Sequence, residues 1–297
     1  MTYDAAIAGA KPVQLAEHVF RITAPNPGQM TGPGTNTYVV GSGDDQLVID
    51  PGPAIPAHIE AIQNHVGDNL QAVVVTHTHS DHSPAAAVLK SRLNCAVWGL
   101  PSTSRLEMQF QDATFSADRV LNGGERIDTS AGVLRVIHTP GHVSNHLCFL
   151  LEESGLLFAG DHIMQGSTVA IVPPQGSMGD YLQSLELLKA CDVEAIAPAH
   201  GLVIKEPLAE IDRLIEHRLW RERKVLSGLD SEARTLDELL PVVYDDVPES
   251  LHWAAKFSLF AHLQKLQQDL RATASFDVVL ESPESLTELN KVQWRLA

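Results

Sequence analysis

The stretch Ala72 to His82, AVVVTHTHSDH, restricts this chain more than any other. It opens on Ala72-Val73-Val74-Val75-Thr76, a mostly β-branched run of the kind that forms a strand buried on both faces. The loop that follows brings together His77, His79, Asp81 and His82. Nitrogen and oxygen donors at this density suit zinc-like metals. Ser83-Pro84 comes next, a helix-start signal in which Ser caps and Pro takes the first position. A helix is predicted over Ala85 to Leu93. Strand, polar loop and helix put the metal-binding groups beyond the strand's carboxyl end, where open α/β sheets carry their chemistry.

The same grammar recurs three times. Val133 to Ile137 runs into His138-Thr139-Pro140-Gly141-His142. Leu147 to Leu151 and Leu156 to Ala159 read as a hairpin around Glu152-Glu153-Ser154-Gly155, and its second strand ends in Gly160-Asp161-His162. Val193 to Ala197 ends in Pro198-Ala199-His200-Gly201. Strands that end together at one sheet edge bring such side chains to one place. Asp50, closing the predicted strand Gln46 to Ile49, reads either as a turn residue or as an acceptor orienting a ligand histidine.

The remaining elements follow from periodicity. Short strands are predicted at Val13 to Leu15, Val19 to Ile22, Thr37 to Val40 and Cys95 to Leu100, with helices at Ala54 to Val66 and Tyr181 to Cys191. Pro25 to Asn36, rich in Gly and Pro, is a plain connector or a functional loop. Residues 101 to 131 are mixed, with a turn at Asn122-Gly123-Gly124. Composition shifts near Lys205. Helices are expected over Glu206 to Leu226, Leu236 to Tyr244 and Glu249 to Leu270, and a strand over Phe276 to Leu280. The expected organisation is a domain over 1–204 and a helical domain over 205–297. Arg213, Arg218, Arg221, Arg223 and Lys224 are expected on a solvated helix face, paired with Asp212, Glu216 and Glu222.

The chain has 297 residues, 44% of them hydrophobic, enough for a sizeable core. No apolar run approaches the roughly 20 residues that span a bilayer, so no membrane partner is expected. The first residues lack a basic start followed by an apolar core, and the expected location is cytoplasmic. Cys95, Cys148 and Cys191 are too scattered for a disulfide framework and read as buried thiols. The formal net charge of −16 repels polyanions, which weighs against nucleic acid as a partner and favours a small-molecule substrate.

The pattern His77-x-His79-x-Asp81-His82, followed by His142, Asp161 and His200, resembles the metallo-β-lactamase superfamily. That resemblance covers roughly residues 13 to 204 and implies an α/β fold, an αββα sandwich with the site along one edge. It also implies a ligand set: His77, His79 and His142 on one metal, Asp81, His82 and His200 on the other, and Asp161 bridging. Gly34-Thr35-Asn36-Thr37-Tyr38, Thr139-Pro140-Gly141-His142 and the trailing helices resemble the β-lactamase-like protein 2 branch. Members of that branch carry a winged-helix-like C-terminal extension against the cleft. Class B1 lactamases have Cys where this chain has Asp161, and they are usually exported; both departures argue against an antibiotic-resistance enzyme.

Five neutral imidazoles, two carboxylates and two divalent ions would leave a net charge of about +2 in an acidic protein. A metal of this kind lowers the pKa of bound water toward about 7. The expected reaction is attack by metal-bound hydroxide on a small ester, thioester or lactone, with Asp81 as the catalytic carboxylate that orients the hydroxide and carries a proton. Two zinc ions are expected, although iron and manganese accept the same ligands. Two alternatives stay open. One is a metal-dependent ribonuclease acting on single-stranded RNA, with the helix arginines facing the cleft. The other is non-catalytic metal binding or a di-iron redox domain, opposed by the complete ligand set and by His79, where flavodiiron relatives usually have an acidic residue. Among the other histidines, His146 and His162 are candidates for supporting or substrate roles. His138 reads as structural, His18, His58, His65, His217 and His252 as ordinary, and His262 as facing core or cleft.

Overall fold

The computed structural model describes residues 10–102, 111–276 and 289–297. Seven strands form the first sheet in chain order: β1 (Val13–Ala16), β2 (Val19–Thr23), β3 (Asn36–Val40), β4 (Leu47–Ile49), β5 (Ala72–Val74), β6 (Ala96–Gly99) and β7 (Arg119–Val120). Pairing is antiparallel from β1 to β4 and parallel from β4 to β7. The first two parallel steps need crossovers, supplied by α1 (Pro56–Val66) and α2 (Ala85–Leu93). Five more strands, β8 (Arg126–Thr129), β9 (Gly132–His138), β10 (Leu147–Leu151), β11 (Leu156–Gly160) and β12 (Ala195–Pro198), form a second sheet in the order β12-β11-β10-β9-β8. α3 (Met178–Lys189) connects β11 to β12.

The pleat sorts side chains into layers. Val39, Val48 and Val73 pack with Ile59 and Ile62 of α1 and Leu89 of α2. Their neighbours Tyr38, Val40, Leu47, Ile49 and Val74 face the other way and meet Leu134, Val136, Phe149, Leu151 and Phe158 of the second sheet. Beyond that sheet, Cys148, Leu150, Leu157 and Ile196 pack on Tyr181, Leu185 and Leu188 of α3. The order is helix, sheet, sheet, helix. Strands covered on both faces read as continuous apolar runs, which is why β5, β10 and β11 carry almost no polar residue.

Strand direction brings the ends together. β9 and β11 each run antiparallel to β10, and β12 runs parallel to β11. So β9, β11 and β12 point the same way, and their carboxyl ends share one edge.

The C-terminal part begins with α4 (Pro207–Gly228), followed by α5 (Leu236–Val243) and α6 (His252–Gln268). A small sheet in the order β13 (Arg234–Thr235), β15 (Gln293–Leu296), β14 (Ala272–Ala274) completes it. Leu236, Leu239, Val243, Leu259, Phe260, Leu263 and Trp294 form its core. α4 belongs to both parts: Ile211 and Leu214 join the α3 core, and Val225 joins the C-terminal one.

Several local expectations change. Ser83 does not cap α2; its hydroxyl donates to Asp112 Oδ2 at 2.8 Å, and Pro84 already has helical backbone at φ −59°. The helix expected from Glu249 begins as a short 3-10 turn, Glu249–Leu251, before α6. The strand expected over Phe276 to Leu280 lies, from residue 277 on, outside the described residues. Cys95 and Cys148 are buried, whereas Cys191 is partly exposed.

The basic residues of α4 split: Arg213 and Arg223 are exposed as expected, Lys224 is half-buried, and Arg218 and Arg221 are not on a solvated face. Arg218 and Arg221 are 3% and 2% exposed, because α4 lies between α3 on one side and α5 and α6 on the other. Arg218 donates to the Val169 carbonyl. Arg221 donates to the Val243 carbonyl and forks onto Asp246 with two bonds of 2.7 Å. Lys224 reaches Asp245 and Asp246, and Arg213 binds Glu210. The acidic residues expected as partners go elsewhere: Asp212 to Lys189, Glu222 to Lys265.

Candidate metal centre

All seven residues singled out from the sequence converge where the strand ends meet. Donor atoms of His77, His79, His142 and Asp161 form one group lying within 4.8 Å of one another, and those of Asp81, His82 and His200 form a second. Either cluster is capable of coordinating a divalent metal. Asp161 touches both: Oδ1 is 3.2 Å from His200 Nε2 and 3.5 Å from His82 Nε2, and Oδ2 is 3.8 Å from His142 Nε2.

Whether this donor set fits a cation can be read from the outward ring nitrogens. His82 Nδ1–H donates to Asp50 Oδ2 at 2.9 Å. His142 Nδ1–H donates to the Ala170 carbonyl at 2.8 Å, and His200 Nδ1–H to the Gly34 carbonyl at 3.3 Å. The Thr76 hydroxyl gives its proton to Asp50 Oδ2 at 2.7 Å, so at 3.0 Å it accepts from His77 Nδ1–H. In all four rings the outer nitrogen holds a proton and Nε2 is the inward atom: in His77 and His142 it turns a lone pair toward His79, and in His82 and His200 it faces the Asp81 and Asp161 carboxylates. His79 instead offers Nδ1, which stands 2.9 Å from His77 Nε2 and 3.1 Å from His142 Nε2. His79 Nδ1 can carry one proton and so satisfy at most one of these two inward lone pairs, whereas a cation at the centre satisfies all three nitrogens, so the residues fit a metal.

Electrostatics divides the set. Burial, with His82 and His79 as neighbours, drives His77 well below its ordinary value, and burial beside His142 and His82 takes His79 down to about 3. Burial also opposes charge on His200, but Asp161 and Asp81 overcome it and raise it to about 9. His82 is raised likewise by Asp81, Asp161 and Asp50 against the cost of burial. Burial would raise Asp81, yet His82 and His200 hold it at about 2. One half is thus neutral imidazole, and the other pairs carboxylates with imidazoles.

The framework behind the ligands is tightly tied. Asp50 accepts from Thr76 N–H at 2.7 Å as well as from His82, which settles it as the orienting acceptor rather than a plain turn residue. The run Gly34-Thr35-Asn36-Thr37-Tyr38 anchors the His200 loop. Asn36 Nδ2 donates to the Pro198 and Gly201 carbonyls at 3.0 and 2.8 Å, and Tyr38 OH donates to Pro198 at 2.7 Å. Thr35 bridges to His200 through backbone and donates its hydroxyl to Asp81 Oδ2 at 3.3 Å. Asn145 Nδ2 donates to Thr78 Oγ1 and the Leu100 carbonyl, both at 2.9 Å, which joins the β5 loop to the β9 loop. No spacing rule links Asn36 to residue 198 or Asn145 to residue 78, so sequence reasoning gave neither a role.

The other histidines sort by contact. His146 is fully buried; its Nε2 accepts from Asp161 N–H at 3.2 Å, and its Nδ1 lies 2.9 Å from Thr139 Oγ1. It supports Asp161. His162 packs on the Tyr181 ring with centroids 4.7 Å apart, and burial takes it down to about 3. His138 Nε2–H donates to the Ser144 carbonyl at 2.9 Å, a structural role. His262 is fully buried, so it faces core.

Two facing sheets flanked by helices, with a histidine–aspartate cage at the strand ends, define a class of metal-dependent hydrolases. The chain belongs to the metallo-β-lactamase superfamily: that family's model matches residues 30–200. A second model, the beta-lactamase associated winged helix domain, matches residues 235–275, within the helical C-terminal part. Among curated relatives, the Beta-lactamase-like protein 2 homolog of Drosophila melanogaster is 31% identical over 277 residues, 89% of this chain and 93% of that one. A protein of Aspergillus chevalieri named atrochrysone carboxyl ACP thioesterase is 30% identical over 80% of this chain and 77% of its own length. In fold, a beta-lactamase domain protein from Burkholderia ambifaria superposes with a TM-score of 0.82 at 17% identity, covering 99% of this chain and 96% of that one. No helix among the described residues is long and apolar enough to cross a membrane.

Proposed function

We propose that the protein is a dinuclear zinc hydrolase of a small ester, thioester or lactone. The observation that carries this reading is the set of outward Nδ1–H bonds, which leaves four Nε2 atoms, with His79 Nδ1, turned inward onto one another and onto Asp81 and Asp161. His77, His79 and His142 would hold one ion, Asp81, His82 and His200 the other, with Asp161 shared. A set richer in imidazole than in carboxylate suits zinc before manganese. Two such ions would supply an activated water near neutral pH and polarise the scissile carbonyl. Asp81, with a side chain 27% exposed against 12% for Asp161, is the carboxylate that substrate and water reach. It would orient the attacking water and pass its proton to the leaving group, with the Thr35 hydroxyl holding its Oδ2 in place.

The thioester is favoured among the substrates by the name of the Aspergillus chevalieri relative. The ribonuclease reading, which the resemblance to the β-lactamase-like protein 2 branch raises, is left with fewer cations on α4: Arg218 and Arg221 are buried on carbonyls and Asp246, while Arg213 and Arg223 stay exposed. We take the catalytic domain as 1–204 and the winged-helix-like domain as 205–297. Three free thiols suit a reducing, cytoplasmic setting.

The test is a panel of acyl-thioesters, esters and lactones, with labelled single-stranded RNA, on zinc-loaded and chelator-stripped protein. Expected is metal-dependent turnover of a small acyl substrate with weak salt dependence. Turnover indifferent to chelation, or cleavage of RNA alone with a steep fall as salt rises, would overturn the reading.

A further inference from the structure

α4 is fixed to the metal centre through one short stretch of chain, residues 167 to 170. Arg213 Nη2 donates to the Ser167 carbonyl at 3.3 Å, and Arg218 Nη2 donates to the Val169 carbonyl. The next carbonyl, that of Ala170, accepts His142 Nδ1–H at 2.8 Å. One peptide unit therefore separates a buried guanidinium of the C-terminal part from the ring of a candidate ligand. The Arg218 guanidinium also lies 5.2 Å from the Tyr181 ring centre, and Tyr181 OH donates to the His162 carbonyl at 3.0 Å, next to Asp161. Arg218 is 3% exposed, so its bond to Val169 works in a dry setting, where a charge-assisted bond is strong and its loss is felt.

We propose that Arg218 is a positioning residue for His142: by holding the Val169 carbonyl it sets the Ala170 peptide, and that peptide sets the tautomer and tilt of the His142 ring. The C-terminal domain thereby bears directly on the first metal site through His142, and on the shared Asp161 only through Tyr181 and the His162 carbonyl. His77 and His79 answer to Thr76 and the β5 loop, and His82 and His200 answer to Asp50 and Gly34. Among the described residues no hydrogen bond or ion pair joins α4 to Thr76, Asp50 or Gly34. The inference rests on the reading of His142 as a ligand.

The experiment compares the parent protein with Arg218→Met, Arg218→Lys and Arg221→Met. Arg221 is the internal reference, since it is equally buried on α4 but its bonds run to Val243 and Asp246 inside the C-terminal part. Stripped full-length protein is titrated with cobalt(II), whose absorption separates the two ions, and the His142 Nδ1–H proton is followed by NMR without metal. Expected for Arg218→Met is a 10- to 100-fold weaker affinity for one ion, the other unchanged, and faster exchange of the His142 Nδ1–H proton. Arg218→Lys, which keeps the charge but not the guanidinium's geometry, should recover only part of that loss, and Arg221→Met should leave both affinities within about twofold of the parent. Equal weakening of both ions, an unchanged His142 proton in a folded variant, or the same pattern from Arg221→Met would overturn the proposal. If Arg218→Met does not fold, Arg218→Lys decides: a lysine cannot keep the guanidinium's geometry at Val169, so parental values for both readouts would count against it. A parent protein that takes up no pair of cobalt ions would sink the ligand reading instead, with the His142 proton still reporting on Arg218.

Discussion

The Asp50 carboxylate grips the His82 ring from behind, with Oδ2 2.9 Å from Nδ1, and the same carboxylate accepts the Thr76 amide at 2.7 Å. It therefore fixes a candidate ligand and the first residue of the loop that carries three others. Asp50→Ala is expected to weaken metal affinity 10- to 100-fold. Two buried Thr76 donors lose their acceptor, which costs on the order of 1–3 kcal/mol of stability. Chelator competition and urea unfolding measure the two effects, and parental metal affinity in the variant would show that Asp50 serves only the turn.

His79→Ala and Asp161→Ala are each expected to abolish turnover and to lower the metal bound per chain. Elemental analysis of the purified variants checks this directly. Full occupancy in either one would remove that residue from the ligand set.

Gly141 sits at φ +143°, and a Cβ there would lie 2.3 Å from Tyr181 Cα. Backbone cannot move aside as a flexible side chain can, so Gly141→Ala is expected to cost at least about 3 kcal/mol. Gly124 also has positive φ, +93°, but nothing lies within 4 Å of its Cβ position. Gly124→Ala should cost only the intrinsic strain, about 1–2 kcal/mol. Urea midpoints separate the two, and equal losses would mean that the Tyr181 contact is not the cause.

His58 is buried against Thr37, 2.8 Å from its hydroxyl, and burial lowers its pKa to about 4. A neutral histidine in the fold stabilises fully above the unfolded value near 6.5. Its contribution drains away as the pH falls through 6.5 toward 4, because the unfolded chain takes up the proton first. The parent should lose about 2 kcal/mol more between pH 7.5 and pH 4.5 than His58→Gln, a consequence of one pKa unit being worth about 1.4 kcal/mol. Parallel pH profiles for the two proteins would rule His58 out as the source.

The sandwich could be read from the sequence because strands covered on both faces must be apolar throughout, as in Leu147 to Leu151. The cage could be read because four apolar runs, ending at Thr76, Ile137, Ala159 and Ala197, lead into a histidine or an aspartate. What escaped was whatever depends on pairs distant in the chain. Asn36 and Asn145 are short polar residues in loops until the fold brings residues 198 and 78 beside them. Arg218 resembles any helix-surface arginine, since a stripe of charge gives no sign of which face will be covered. The small sheet escaped because β13 has two residues and its partner β15 lies about sixty positions away, too short and too distant for any period to register.

Asn36 and Gly201 lie 165 residues apart, and their hydrogen bond pins the last loop of the cage to the first sheet. A chain leaving the ribosome must therefore expose some two-thirds of its length before the second ion has a complete seat. The Asp81–His82–His200 group is thus the part of the cage that waits longest for its last member.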